Sequence, residues 1–134
     1  MPRSRRLVVG LGNPLVADDA FGCDVVTELR GSGRWPDVDI VDAGTDLLTH
    51  IETFESYDEV ILVDTVLDPA RAGQVATLEQ DVFLMWPDSS PNCHAMSPLD
   101  AVKLFRALHP SAPTRFTLVA LFTDRVSSAL ADPL

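Results

Sequence analysis

Glu59-Val-Ile-Leu-Val-Asp64 decides how this chain folds. An uninterrupted apolar run between acids suits a central strand of a parallel sheet, which is buried on both faces and so loses the usual polar-apolar alternation. Working outward from it, Arg6-Leu-Val-Val-Gly10 and Val38-Asp-Ile-Val-Asp42 precede it as further strands, and Arg115-Phe-Thr-Leu-Val-Ala-Leu-Phe122 follows as another. Helical spacing fills the gaps between these strands. A helix from about Phe21 to Arg30 sets Cys23, Val26, Leu29 and Arg30 on one mainly apolar face and stops at Gly31-Ser-Gly33. A second helix begins near Asp46, with Leu47, Leu48, Ile51 and Phe54 recurring every three or four residues. Ser97-Pro-Leu-Asp100 has the cap serine, first-turn proline and early acid of a third helix, which predicts a buried stripe of Ala101, Leu104, Phe105 and Leu108 before His109-Pro110 closes it. Strands alternating with helices predict a parallel sheet covered on both faces. Gly73-Gln-Val-Ala-Thr-Leu-Glu79 alternates polar and apolar residues, so it reads as an edge strand that is free to run antiparallel. The expected fold is a three-layer α/β/α sandwich with a mostly parallel five-stranded sheet, in one domain over residues 1–134.

A chain of 134 residues can bury roughly two thirds of its unfolded surface, which suits one compact domain. No apolar run approaches the roughly 20 residues of a membrane-spanning helix, so no membrane association is expected. Met1-Pro-Arg-Ser-Arg-Arg6 is basic, but Leu7-Val-Val9 runs straight into a glycine turn without the apolar region or cleavage site of a signal peptide; the expected location is the cytoplasm. The formal net charge of -10 disfavours nucleic acid as a partner, because phosphate binding depends on Lys and Arg displacing counterions. Cys23 and Cys93 have no paired spacing, which argues against a disulfide framework or a thiolate zinc site.

Parallel α/β sheets bind ligands beyond the carboxyl ends of their strands, where loops converge and helix N-termini offer unpaired N–H groups. The first strand is followed there by Gly10-Leu-Gly-Asn-Pro-Leu-Val-Ala-Asp-Asp-Ala-Phe-Gly22, and the second by Asp42-Ala-Gly-Thr45. The third strand delivers Asp64. The long proline-marked loop Trp86-Pro-Asp-Ser-Ser-Pro-Asn-Cys-His94 delivers His94. Asp19 or Asp18, Asp42, Asp64 and His94 can therefore reach one rim. A dinucleotide site is the rival, since Gly10-x-Gly12 follows a strand and Asp42 ends the next. That fingerprint breaks at Leu15, where a third glycine belongs, and Asp18 and Asp19 would set like charges against a pyrophosphate. Two carboxylates and an imidazole suit nickel, zinc or cobalt instead, with positions left open for water or substrate.

Gly10-x-Gly-Asn-x-Leu-x-x-Asp-Asp-x-x-Gly22, then Asp42-x-Gly-Thr45, then the apolar strand ending in Asp64, then His94, make a series that resembles the hydrogenase maturation endopeptidases from about Leu7 to Phe122. The resemblance implies that Asp19, Asp64 and His94 bind metal and serve the cleavage. Asp19 is matched because the family's ligand is the second acid of the pair, three residues before Gly22; Asp18 is left to cap the helix or face water. The resemblance further implies removal of a C-terminal peptide from the large-subunit precursor of nickel-iron hydrogenase. The metal would be nickel supplied by that precursor, which another divalent cation could replace in vitro. Expected partners are the precursor alone, with the protein a monomer.

Gly12, Asn13, Gly44 and Thr45 are expected to shape the cleft against substrate. Asp42 is a candidate for substrate contact or proton transfer, or else merely orders the Gly44-Thr45 turn. His50 and His109 sit within or at the end of helices and stand outside the cluster. Cys93 and the serines at 89 and 97 lack the partners or the elbow of a nucleophile. Ala20 and Phe21 depart from the family's small and branched residues, and the stretch after Phe122 leaves little room for a closing helix. These departures motivate a second reading, a non-catalytic metal- or nucleotide-binding α/β module that diverged from the same family.

Overall fold

The computed structural model describes residues 5–12, 20–83, 85 and 97–124. Its elements are β1 (Arg6–Leu11), α1 (Phe21–Ser32), β2 (Val38–Gly44), a 3-10 helix (Leu48–Ser56), β3 (Glu59–Leu67), a 3-10 turn (Pro69–Arg71), β4 (Val75–Glu79), α2 (Gln80–Phe83), α3 (Pro98–Leu108) and β5 (Arg115–Thr123). They form a five-stranded sheet in the order β2-β1-β3-β5-β4, with β4 antiparallel to β5 and every other pair parallel. This is the expected mixed α/β sheet, with the alternating strand at its edge.

The two faces of the sheet differ in what covers them. On one, Leu7, Val9, Leu62, Phe116, Leu118 and Ala120 pack against the 3-10 helix and α3. There Phe54, Phe105 and Phe116 meet edge to face, with ring centroids 5.3–6.2 Å apart. Phe105→Ala is expected to cost about 3–5 kcal/mol, since the ring is fully buried and its neighbours cannot collapse into the space it leaves. Urea unfolding of the variant checks this; a loss below about 1 kcal/mol would mean the three-ring cluster is not the core of this face. On the other face Val8, Val26 and Val63 form the contact with α1.

Three details differ from the sequence expectation. The segment after Asp46 is a 3-10 helix, and Leu48 is 58% exposed because Leu47, Ile51 and Phe54 take the inward positions. Leu108 is half exposed at the end of α3, and Val102 joins Ala101 and Phe105 in the buried stripe instead. The third difference bears on function. β3 continues past Asp64 to Leu67, since β5 pairs with it along its whole length, Asp64 opposite Ala120. The α3 start is as expected: the Ser97 hydroxyl accepts the Asp100 N–H at 3.1 Å.

Candidate active site

Asp64 lies inside a strand, yet it also lies at a rim. β1 pairs with β3 only as far as Gly10 beside Val63. Asp64 is therefore the first β3 residue beyond that pairing, where the last residue of β1, Leu11, pairs only with Gly44 of β2. Strand alternation puts it on the face of Val60 and Leu62, and Asp42 on the α1 face with Val38 and Ile40. Asp64 is partly buried, and one carboxylate oxygen accepts the Thr65 N–H at 2.8 Å.

The ends of β1 and β2 are tied together at the same rim. Gly12 turns the chain with φ 126°, and its N–H donates to the Gly44 carbonyl at 2.9 Å. Gly44 has φ 58°, a left-handed conformation that disfavours any residue with a Cβ, and its N–H donates to Asp42 Oδ1 at 3.1 Å. Asp42 and Thr45 are exposed beside this crossing.

α1 starts close against these strand ends because two glycines face each other. A Cβ at Gly10 would stand 2.4 Å from the Gly22 carbonyl oxygen, and one at Gly22 would stand 2.2 Å from Leu11 O and 2.3 Å from Val63 O. The first turn of α1 thus sits against both β1 and the residue before Asp64. The next residue, Cys23, is buried, and its thiol donates to the Gly12 carbonyl at 3.3 Å. That contact could not be read in advance: a cysteine on an apolar helix face gives no sign of reaching a loop carbonyl eleven residues earlier.

Of the residues nominated from sequence, Gly12, Asp42, Gly44, Thr45 and Asp64 are placed, and the first three are joined by hydrogen bonds. Asp19, Asn13 and His94, with Asp18 and Cys93, lie outside the described residues. Among the described residues no three His, Cys, Asp or Glu side chains form a metal-binding group. Two clefts among the described residues lie elsewhere. One of about 370 Å³ runs along α1 beside Trp35, and one of about 550 Å³ opens at the far ends of β3 and β5 around Arg106.

The family profile of the hydrogenase maturation proteases (HycI) matches residues 23–126. A putative hydrogenase maturation protease of Methanocaldococcus jannaschii is 31% identical over 83 residues, covering 60% of this chain and 54% of that protein. The hydrogenase expression/formation protein HupD of Bradyrhizobium diazoefficiens is 39% identical over 72 residues, covering 51% of this chain and 38% of that protein. The chain therefore spans about half, or less, of the curated relatives it matches. In fold it is similar to the NiFe hydrogenase maturation protease HybD from Thermococcus kodakarensis, with a TM-score of 0.72 and 20% identity over 94% of this chain and 84% of that one. The hydrogenase 2 maturation peptidase from Thaumarchaeota archaeon SCGC_AB-539-E09 has a TM-score of 0.65 and 26% identity, covering 95% of this chain and 84% of that one.

Proposed function

Because this chain belongs to the hydrogenase maturation protease family, we propose that it is an endopeptidase that removes the C-terminal extension of a nickel-loaded nickel-iron hydrogenase large-subunit precursor. The observation that carries this reading is the family match across residues 23–126, which includes Asp64 at the point where β1 stops pairing with β3. In this reading Asp19, Asp64 and His94 grip the nickel that the precursor brings with it, so the metal is part of the substrate and marks it as ready to be cut. Another divalent cation can stand in for nickel in vitro. Gly12, Asn13, Asp42, Gly44 and Thr45 line the approach of the substrate chain.

The reaction is hydrolysis of one peptide bond. Water adds to the scissile carbonyl carbon, the C–N bond breaks, the water's hydroxyl stays on the new carboxyl group, and its other proton ends on the departing amine. Two carboxylates and an imidazole leave coordination positions open, so the gripped ion can orient or polarise the region being cut. The precursor is the single partner, and the protease acts as a monomer in the cytoplasm. No described helix is long and apolar enough to cross a membrane, which is compatible with that location.

Purified precursor, with and without nickel, provides the test. The nickel-loaded form is expected to lose its C-terminal peptide, read as a mass decrease, while the nickel-free form stays intact. Equal cleavage of both forms would remove nickel as the recognition element. Cleavage of neither would favour the non-catalytic binding module.

A further inference from the structure

We propose that Cys23 and Asp42 are positioning residues for this reaction, acting together to hold the peptide of Gly12 so that the exit of β1 keeps one fixed geometry. The proposal rests on the endopeptidase reading for its consequence, and on the strand-end geometry for its cause.

Gly12 has no side chain to anchor it and takes a φ of 126°, which side chains with a Cβ rarely adopt, and glycine loses more freedom on ordering than any other residue. Both of its backbone polar groups are nevertheless engaged, and by different elements. Its N–H is held by the carbonyl of Gly44 at the end of β2, and its carbonyl by the thiol of Cys23 in the first turn of α1. Gly44 is held in turn by Asp42 Oδ1. One residue therefore joins three segments, and in sequence it precedes the stretch that carries Asp18 and Asp19.

The thiol's surroundings suit this role better than a reactive one. Cys23 is only 4% exposed. A buried thiol packs as a small apolar group with a weak S–H donor, and reactive thiols need electropositive, partly open surroundings. Its placement follows from Gly22, whose lack of a side chain lets α1 approach Leu11 and Val63. Asp42 presents two roles that a substitution can separate. A proton carrier or a charged substrate contact needs the carboxylate, whereas the bond to Gly44 N–H needs only an oxygen acceptor, which asparagine keeps.

The experiment compares Cys23→Ala with Cys23→Ser and Asp42→Ala with Asp42→Asn. Two readouts are used: kcat and KM on nickel-loaded precursor, and hydrogen exchange of the Gly12 amide followed by NMR. Loss of one such hydrogen bond is expected to lower kcat about three- to tenfold in each alanine variant, with KM less affected, and to speed Gly12 exchange by a similar factor. Serine keeps the donor, so Cys23→Ser is expected to stay within about twofold of the unaltered protein in both readouts, and asparagine keeps the acceptor, so Asp42→Asn is expected to leave Gly12 exchange within about twofold. Alanine variants that match the unaltered protein overturn the proposal. So does a serine variant that falls as far as alanine in either readout, or an asparagine variant whose Gly12 exchange speeds as far as that of the alanine variant, because volume or charge would then be the cause. Should Cys23→Ala fail to fold, Cys23→Ser and the Asp42 pair still decide it. If the unaltered protein cleaves no precursor, the endopeptidase reading fails, while the exchange rates at Gly12 continue to test the clamp.

Discussion

If the proposed reading holds, Asp64→Ala lowers processing of the nickel-loaded precursor by more than the roughly 10–100-fold typical of losing an outer-shell partner of a metal ligand, because that reading makes Asp64 a ligand itself. The fold should survive. Asp64 is partly buried and lies beyond the pairing of β1 with β3. Its bond to the Thr65 N–H is worth about 1 kcal/mol, and Asp64→Asn retains an acceptor there while removing the charge that favours a cation. The aspartate-to-asparagine change should therefore separate the two roles, with near-normal stability and lost processing. Circular dichroism, a thermal melt and the mass of the precursor after incubation measure all three quantities. Processing by Asp64→Ala at the unaltered rate would remove Asp64 from the site.

Gly22→Ala is the second large effect, and it acts on the fold first. The added methyl would lie 2.2–2.5 Å from Leu11 O, Val63 O and Leu11 N, all backbone atoms that no rotamer change can move away. Either α1 lifts from the sheet or the ends of β1 and β3 part. Overpacking a core by a methylene typically costs about 1–3 kcal/mol, and contacts this short against backbone place the change at or above the upper end. At roughly 4 °C per kcal/mol for a domain of this size, the thermal midpoint should fall by about 10 °C or more. Gly31→Ala is the internal control. It lies in the same helix, nothing would stand within 4 Å of its Cβ, and helix propensity alone should make it neutral or stabilising by up to about 1 kcal/mol. A melt in which Gly22→Ala and Gly31→Ala behave alike would mean that α1 does not press on the strand ends. Processing should fall with Gly22→Ala beyond what unfolding explains, because the first turn of α1 carries Cys23 and touches the residue preceding Asp64.

The candidate site is legible in the sequence only to the extent that chemistry can be placed at strand ends. Gly12, Asp42, Gly44 and Asp64 were nominated on that basis, and hydrogen bonds join the first three. Asp42 shows where such reading stops. An acid two residues before a glycine is equally compatible with proton transfer and with ordering a turn, and only the 3.1 Å contact with the Gly44 N–H gives the second role a geometry. Cys23 shows a different limit. Its partner, the Gly12 carbonyl, depends on how closely α1 can approach β1, which is decided by two glycines meeting across the interface rather than by the cysteine.

By itself the sequence determined the class of fold. The apolar run at β3, the alternation at β4 and the Ser97 cap each reflect burial or hydrogen bonding local to their own segment, so a residue's type and its near neighbours carry the information. Tertiary structure decided the rest. The strand order β2-β1-β3-β5-β4, the length of β3 past Asp64 and the exposure of Leu48 and Leu108 all depend on which partner lies alongside and how far it extends. Asp64 belongs to both accounts. Its sequence marks it as an acid closing an apolar run, but it becomes a rim residue because β1 stops pairing one residue before it while β5 continues.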